Sequence, residues 1–166
     1  MATHQLPILG PSTLPDTSGN VYAEPAAIVL QANDRYSQLV FVFVDTATRI
    51  LLGGAFIVPQ NYVGTPKVGL IWATTATSGN ADWEFDYKAI ADGESADPSS
   101  DDESVGAVVA APDTARLTKV TEIALTGGNF AAGDLVQFSI ARDGSESDTI
   151  AAGLFLLAAY FSYADA

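Results

Sequence analysis

In ADWEFDYKAIA, residues 81–91, Trp83, Phe85 and Tyr87 alternate with Asp82, Glu84, Asp86 and Lys88. Side chains repeat every two residues along a strand and about every 3.6 along a helix. Only a strand gathers the rings on one side and the charges on the other. The segment predicts a strand with an aromatic face toward a core and a charged face toward water. No segment of the 166 residues reads as an amphipathic helix with caps, which confines the chain to all-β architectures.

Further strand signals surround this one. They are AAIVLQA at 26–32, SQLVFVFVD at 37–45, TRILLGGAFIV at 48–58 and KVGLIWATT at 67–75. The second is apolar on both faces and predicts a central position. Gly53-Gly54 interrupts the third; the pair suits a two-residue hairpin turn or a bulge, and a bend in one long strand is preferred. Residues 105–111 predict a short strand ended by Pro112. KVTEIALTG at 119–127 alternates Val120, Glu122 and Ala124 with Thr121, Ile123 and Leu125. GDLVQFSIARDGSESD at 133–148 predicts a strand that starts at Asp134, with Arg142 and Asp143 closing its bend. The apolar IAAGLFLLAAYFSY at 150–163 completes about eight strands, a sandwich or barrel.

That last run is apolar at nearly every position, so both faces are expected to be shielded from water. Cover for the second face comes from the far side of a closed barrel, from a central place in a monomer's sheet, or from another subunit. Ala151, Ala152, Gly153, Ala158 and Ala159 leave room for close approach near a symmetry axis. Residues 1–26, with Pro7, Pro11, Pro15 and Pro25, suit neither a helix nor a central strand. They predict a loose terminus or an extended arm across a neighbouring subunit, leaving 27–166 as the folded domain.

Charge narrows function. Twenty acidic against seven basic residues give a net charge of −13, which repels nucleic-acid backbones and anionic membranes. There is no cysteine, which excludes disulfides, thiolate catalysis and sulfur-ligated metals. Apolar residues make up 48% and charged ones only 16%, so the chain reads as packed, soluble protein. The longest apolar run is too short for a bilayer helix, and the N-terminus lacks a secretory pattern.

The carboxylates are the remaining candidates for chemistry. Asp143, Glu146 and Asp148 flank Gly144-Ser145 with spacing that calcium could use, but not that of an EF-hand. Asp97, Asp101, Asp102 and Glu103 crowd a second loop, DGESADPSSDDES at 92–104, where repulsion would favour a cation. Turn chemistry and solvation account for both loops without a metal. A glycosidase would need Asp82, Glu84 and Asp86 in a cleft beside platforms such as Trp83 and Tyr87, whose alternation is that of a core. His4 is the only histidine and stands far from any nucleophile, so a serine triad or histidine metal site is not expected. No phosphate loop or nucleophile elbow occurs. The reading is a non-enzyme without a cofactor.

Three blocks recur together: FIVPQNYVG with LIWATTATSGNADWEFDYKAI (56–90), AAGDLVQFSIARDGSESD, and the apolar closing strand. In that order the chain resembles the small jelly-roll proteins of tailed-phage virions, notably capsid decoration (cement) proteins, across residues 27–164. The resemblance implies an antiparallel jelly roll, a homotrimer on the capsid exterior, and the major capsid protein as partner, with synthesis in the host cytoplasm. It implies clamping by contact area rather than chemistry. The rival is a trimeric receptor- or glycan-binding head of a tail fibre, which needs exposed loop aromatics; Tyr62 and Phe130 are the candidates.

Overall fold

The computed structural model of the chain describes residues 2–9, 21–22, 24–29 and 37–165, with side chains at 2–9 and 40–165. The strands are β1 (Thr3–Pro7), β2 (Val21–Tyr22), β3 (Glu24–Val29), β4 (Ser37–Phe43), β5 (Arg49–Ile57), β6 (Tyr62–Thr74), β7 (Asn80–Ile90), β8 (Glu103–Ala110), β9 (Lys119–Ala124), β10 (Leu135–Asp143) and β11 (Leu154–Asp165). One sheet runs β3-β4-β11-β6-β9, with β1 also pairing with β11; the other runs β2-β5-β10-β7-β8. Every pairing is antiparallel except β2 with β5. The expected all-β sandwich is therefore the fold, with two separate sheets rather than one closed barrel. Among the described residues no helix is long and apolar enough to cross a membrane.

The core lies where inward side chains of the two sheets meet. Trp83, Phe85 and Tyr87 of β7 face it, beside Val136, Phe138 and Ile140 of β10. Val68, Leu70 and Trp72 of β6 and Leu154, Leu156 and Phe161 of β11 close it from the other sheet. Trp72 and Phe43 both meet Trp83 edge-on, at centroid distances of 5.9 and 5.1 Å, the geometry that ring quadrupoles favour. In β9, Thr121 and Ile123 are buried while Val120, Glu122 and Ala124 are exposed, matching the predicted alternation.

Gly53-Gly54 neither turns nor bulges. β5 pairs with β10 without a slip from Ile57↔Leu135 to Arg49↔Asp143. Gly54 lies opposite Phe138, and a Cβ on it would sit 2.6 Å from that ring's Cζ. The glycine accommodates an aromatic side chain from the next strand, a packing need that resembles a bend in the sequence. A register irregularity lies instead in β11 between Leu156 and Ala158. The extra residue there lets Leu156 and Ala159 both face the core.

Both ends of the chain correct the sequence reading. Thr3–Pro7, within the expected arm, pairs with Tyr160 to Ala164 of the same chain, and Ile8 is buried in the core. Proline is tolerated because β1 pairs on one side only; residues 10–20 lie outside the described set. The last strand starts at Leu154, and no residue along it is exposed. Its inward side is fully buried, whereas Phe155, Ala158 and Tyr160 on the outward side are partly buried. Tyr160 lies across Gly69, where a Cβ would come within 2.1 Å of its ring, and its hydroxyl is 3.2 Å from Glu122.

Candidate functional site

The outward face of the β5-β10-β7-β8 sheet carries the polar groups, and it is drier than the alternation predicts. Asp82 and Asp86 are 8% and 9% exposed. Arg49 explains part of this: its Nε donates to Glu84 Oε2 at 2.5 Å and its Nη2 donates to Asp86. Ser104 and Ser139 donate their hydroxyls to Asp86 at 2.6 and 2.9 Å. Burial pushes the Asp86 carboxyl up, but these bonds and the guanidinium outweigh it and hold it below the usual range. A buried charge persists when it is paired and hydrogen-bonded. Asp82 is covered differently, accepting the Ser147 backbone N–H at 3.1 Å.

Because the folded carboxyl is the stronger acid, Asp86 contributes stability at pH values above its unfolded pKa, about 3.9. That contribution fades as pH falls through the lower folded value. Urea titrations between neutral pH and about pH 2.5 should show Asp86→Asn with lower stability at neutral pH and a shallower acid loss. Parallel curves for the two proteins would remove Asp86 from the acid response.

The two acidic loops do different work. In the first, Asp102 accepts from Lys88 Nζ at 2.5 Å and from the Ala89 backbone N–H at 2.9 Å. Glu103 already belongs to β8, and it accepts from the Tyr87 hydroxyl and from the backbone and hydroxyl of Thr126. Burial and that bond to Glu103 push the Tyr87 hydroxyl pKa upward. Asp97 and Asp101 stay exposed. The loop folds over the sheet, held in part by Gln137 Nε2 donating to Ala96 O at 3.0 Å.

In the second loop, Asp143 accepts from the Ser145 N–H and hydroxyl at 2.8 and 2.6 Å, a local turn. Glu146 is exposed. Asp148 pairs with Arg142, whose Nε and Nη2 donate at 2.9 and 2.7 Å. Arg142 does not close the bend as expected; it is the last inward position of β10, 1% exposed between the sheets. Among the described residues, no three His, Cys, Asp or Glu side chains gather where they could hold a metal ion.

The expected glycan-facing aromatics are also placed otherwise. Phe130 is 7% exposed and stacks on Tyr87 at 4.8 Å. Tyr62 is half-buried and donates its hydroxyl to Gly127 O at 3.0 Å. His4 stacks on Tyr163 and lies 2.8 Å from Asp165, at the seam between β1 and β11.

What remains open is a cleft between the acidic loop and the sheet. Three adjoining cavities, of about 300, 370 and 230 Å³, share Lys88 in their walls. The smallest lies over Asp86, Gln137, Phe138 and Ser139, with Pro98 and Asp101 opposite. Sequence reasoning missed Arg49, Gln137 and Ser139. The register supplies the signal, since Gln137 and Ser139 sit opposite Lys88 and Asp86 on one face.

No protein-family model matches the chain, and no curated protein matches it. Solved structures do. The K1 cleaved adhesin domain of Lys-gingipain from Porphyromonas gingivalis W83 is 12% identical, with 97% of this chain and 98% of that chain aligned at a TM-score of 0.51. TmCBM61, solved in complex with β-1,4-galactotriose, is 10% identical over 76% of this chain and 72% of its own, with a TM-score of 0.38. A family 16 carbohydrate-binding module is 13% identical over 77% and 74%, with a TM-score of 0.35. The adhesin-domain likeness shows a shared β-sandwich fold and, at this identity, the fold alone.

Proposed function

We propose that this chain is a non-enzymatic structural module of a tailed-phage virion, a decoration-type protein that self-associates as a homotrimer and stabilises the capsid shell by contact. The observation that carries this reading is the outward side of β11. Phe155, Ala158 and Tyr160 are only partly buried beside Ile71 and the 54%-exposed Val120. The apolar part of this face, which adjoins the exposed Lys67–Glu122 ion pair, loses free energy in water and gains it under a partner. The acidic residues support the same reading, since Glu84, Asp86, Asp102, Glu103 and Asp148 are engaged in bonds that hold the fold.

Light scattering on the purified chain should return three subunits. Ala158→Glu, which places a charge in that face, should give a folded protein of lower subunit number. A native monomer, or a variant that assembles unchanged, would refute contact through this face. Gold-labelled antibody against the chain should decorate the capsids of the phage that encodes it; label confined to the tail would overturn the capsid assignment.

A further inference from the structure

We propose that the cleft beneath the acidic loop binds a neutral saccharide. The site goes beyond the assembly role, because it lies on the sheet opposite the apolar face. Lys88, Gln137 and Ser139 form its floor with Asp86, and Pro98 and Asp101 form its lip. The floor side chains project from two paired strands, so their spacing is fixed by register.

Each group keeps hydrogen-bonding capacity after its bonds within the chain. Lys88 uses a donor on Asp102 and Gln137 uses one amide hydrogen on Ala96 O. Ser139 donates to Asp86 and can still accept. Asp101 has no side-chain bond among the described residues. The result is donors and acceptors interleaved within one small cavity. Sugar hydroxyls each donate and accept, and their ring C–H faces need some apolar surface, which Pro98 supplies at the lip.

Two alternatives fit less well. A bare cation would meet the Lys88 ammonium among the wall residues. An anionic sugar would meet Glu94, Asp97 and Asp101 in a chain of net charge −13. Among the described residues no aromatic ring lies flat and open in the cleft, so single-site affinity is weak, and several copies on one assembly would raise it by avidity.

The test is a nitrogen-15 NMR titration of the full chain with glucose, galactose, mannose, glucuronate and calcium chloride, each added separately. At least one neutral hexose should move the Gln137 side-chain amide and the Lys88 and Ser139 backbone signals in the range of about 1–10 mM. Glucuronate and calcium should leave them in place. Gln137→Leu and Asp101→Ala should each weaken the hexose shifts at least about tenfold while the rest of the spectrum stays dispersed. Silence toward all three hexoses at about 50 mM, equal response to glucuronate, shifts that map elsewhere, or a response to calcium alone would each overturn the site. Subunit number is read separately, so these outcomes do not touch the assembly reading.

Discussion

Arg142→Met loses about 3–5 kcal/mol of folding stability, the range for leaving one member of a buried ion pair alone. Arg142 is 1% exposed and the Asp148 side chain 3%. Its guanidinium also donates to the backbone carbonyls of Phe43, Ala152 and Ile150, at 3.2, 2.8 and 2.5 Å. The side chain therefore joins the end of β4 to the segment that leads into β11. Methionine fills much of the volume but satisfies none of these acceptors. For a chain of this length the loss corresponds to a melting temperature lower by roughly 6–20 °C. Adding Asp148→Leu should recover part of it, since the unpaired charge goes while the carbonyls remain short of donors. A single-variant loss below about 1 kcal/mol in urea unfolding would mean that water enters and replaces the guanidinium.

The same residue shows where the sequence was legible. Alternation is a property of backbone geometry, so it placed Trp83, Phe85 and Tyr87 inward and separated Thr121 and Ile123 from Glu122 without knowledge of neighbours. It also places Arg142 inward, after Val136, Phe138 and Ile140. Charge composition argued the other way, because arginine is almost never fully buried unless paired. The pair, Asp148, was visible six residues on but could not be assigned, since a loop's path depends on what it returns to. Asp82 and Asp86 failed for a similar reason: their cover comes from Arg49, Ser104, Ser139 and the Ser147 backbone, all distant in sequence.

The glycines and the loop aromatics make the complementary point. Gly53-Gly54 carries the local signature of a bend, yet Gly54 is required by Phe138 on the adjacent strand. Tyr62 and Phe130 stand near turn residues, and they are drawn into a cluster with Tyr87, Phe161 and Tyr163. Local rules describe what a residue permits, whereas tertiary neighbours decide which permission is used. The cleft belongs to the second class altogether, because its walls join residues from β7, β10 and a loop tied to them by bonds that are distant in sequence, such as Gln137 to Ala96.

The two core tryptophans should respond differently to the same substitution. Both are fully buried and face each other across the sheets. Trp72 donates its indole N–H to the Thr121 hydroxyl at 2.9 Å. Among the described residues the Trp83 indole nitrogen is buried without a hydrogen-bond partner, an arrangement that carries a desolvation cost. Trp72→Phe removes ring volume and a satisfied bond, and it strands Thr121, itself 4% exposed. Trp83→Phe removes similar volume together with the group that had no partner. Trp83→Phe should therefore be milder than Trp72→Phe by about 1–2 kcal/mol, although Trp83→Ala should cost about 3–5 kcal/mol as a cavity opens against Phe43. Chemical denaturation of the three variants settles the order. Equal losses for the two phenylalanine variants would mean that the Trp83 N–H is satisfied by a ring face or by water, so that packing volume alone sets the stability of this core.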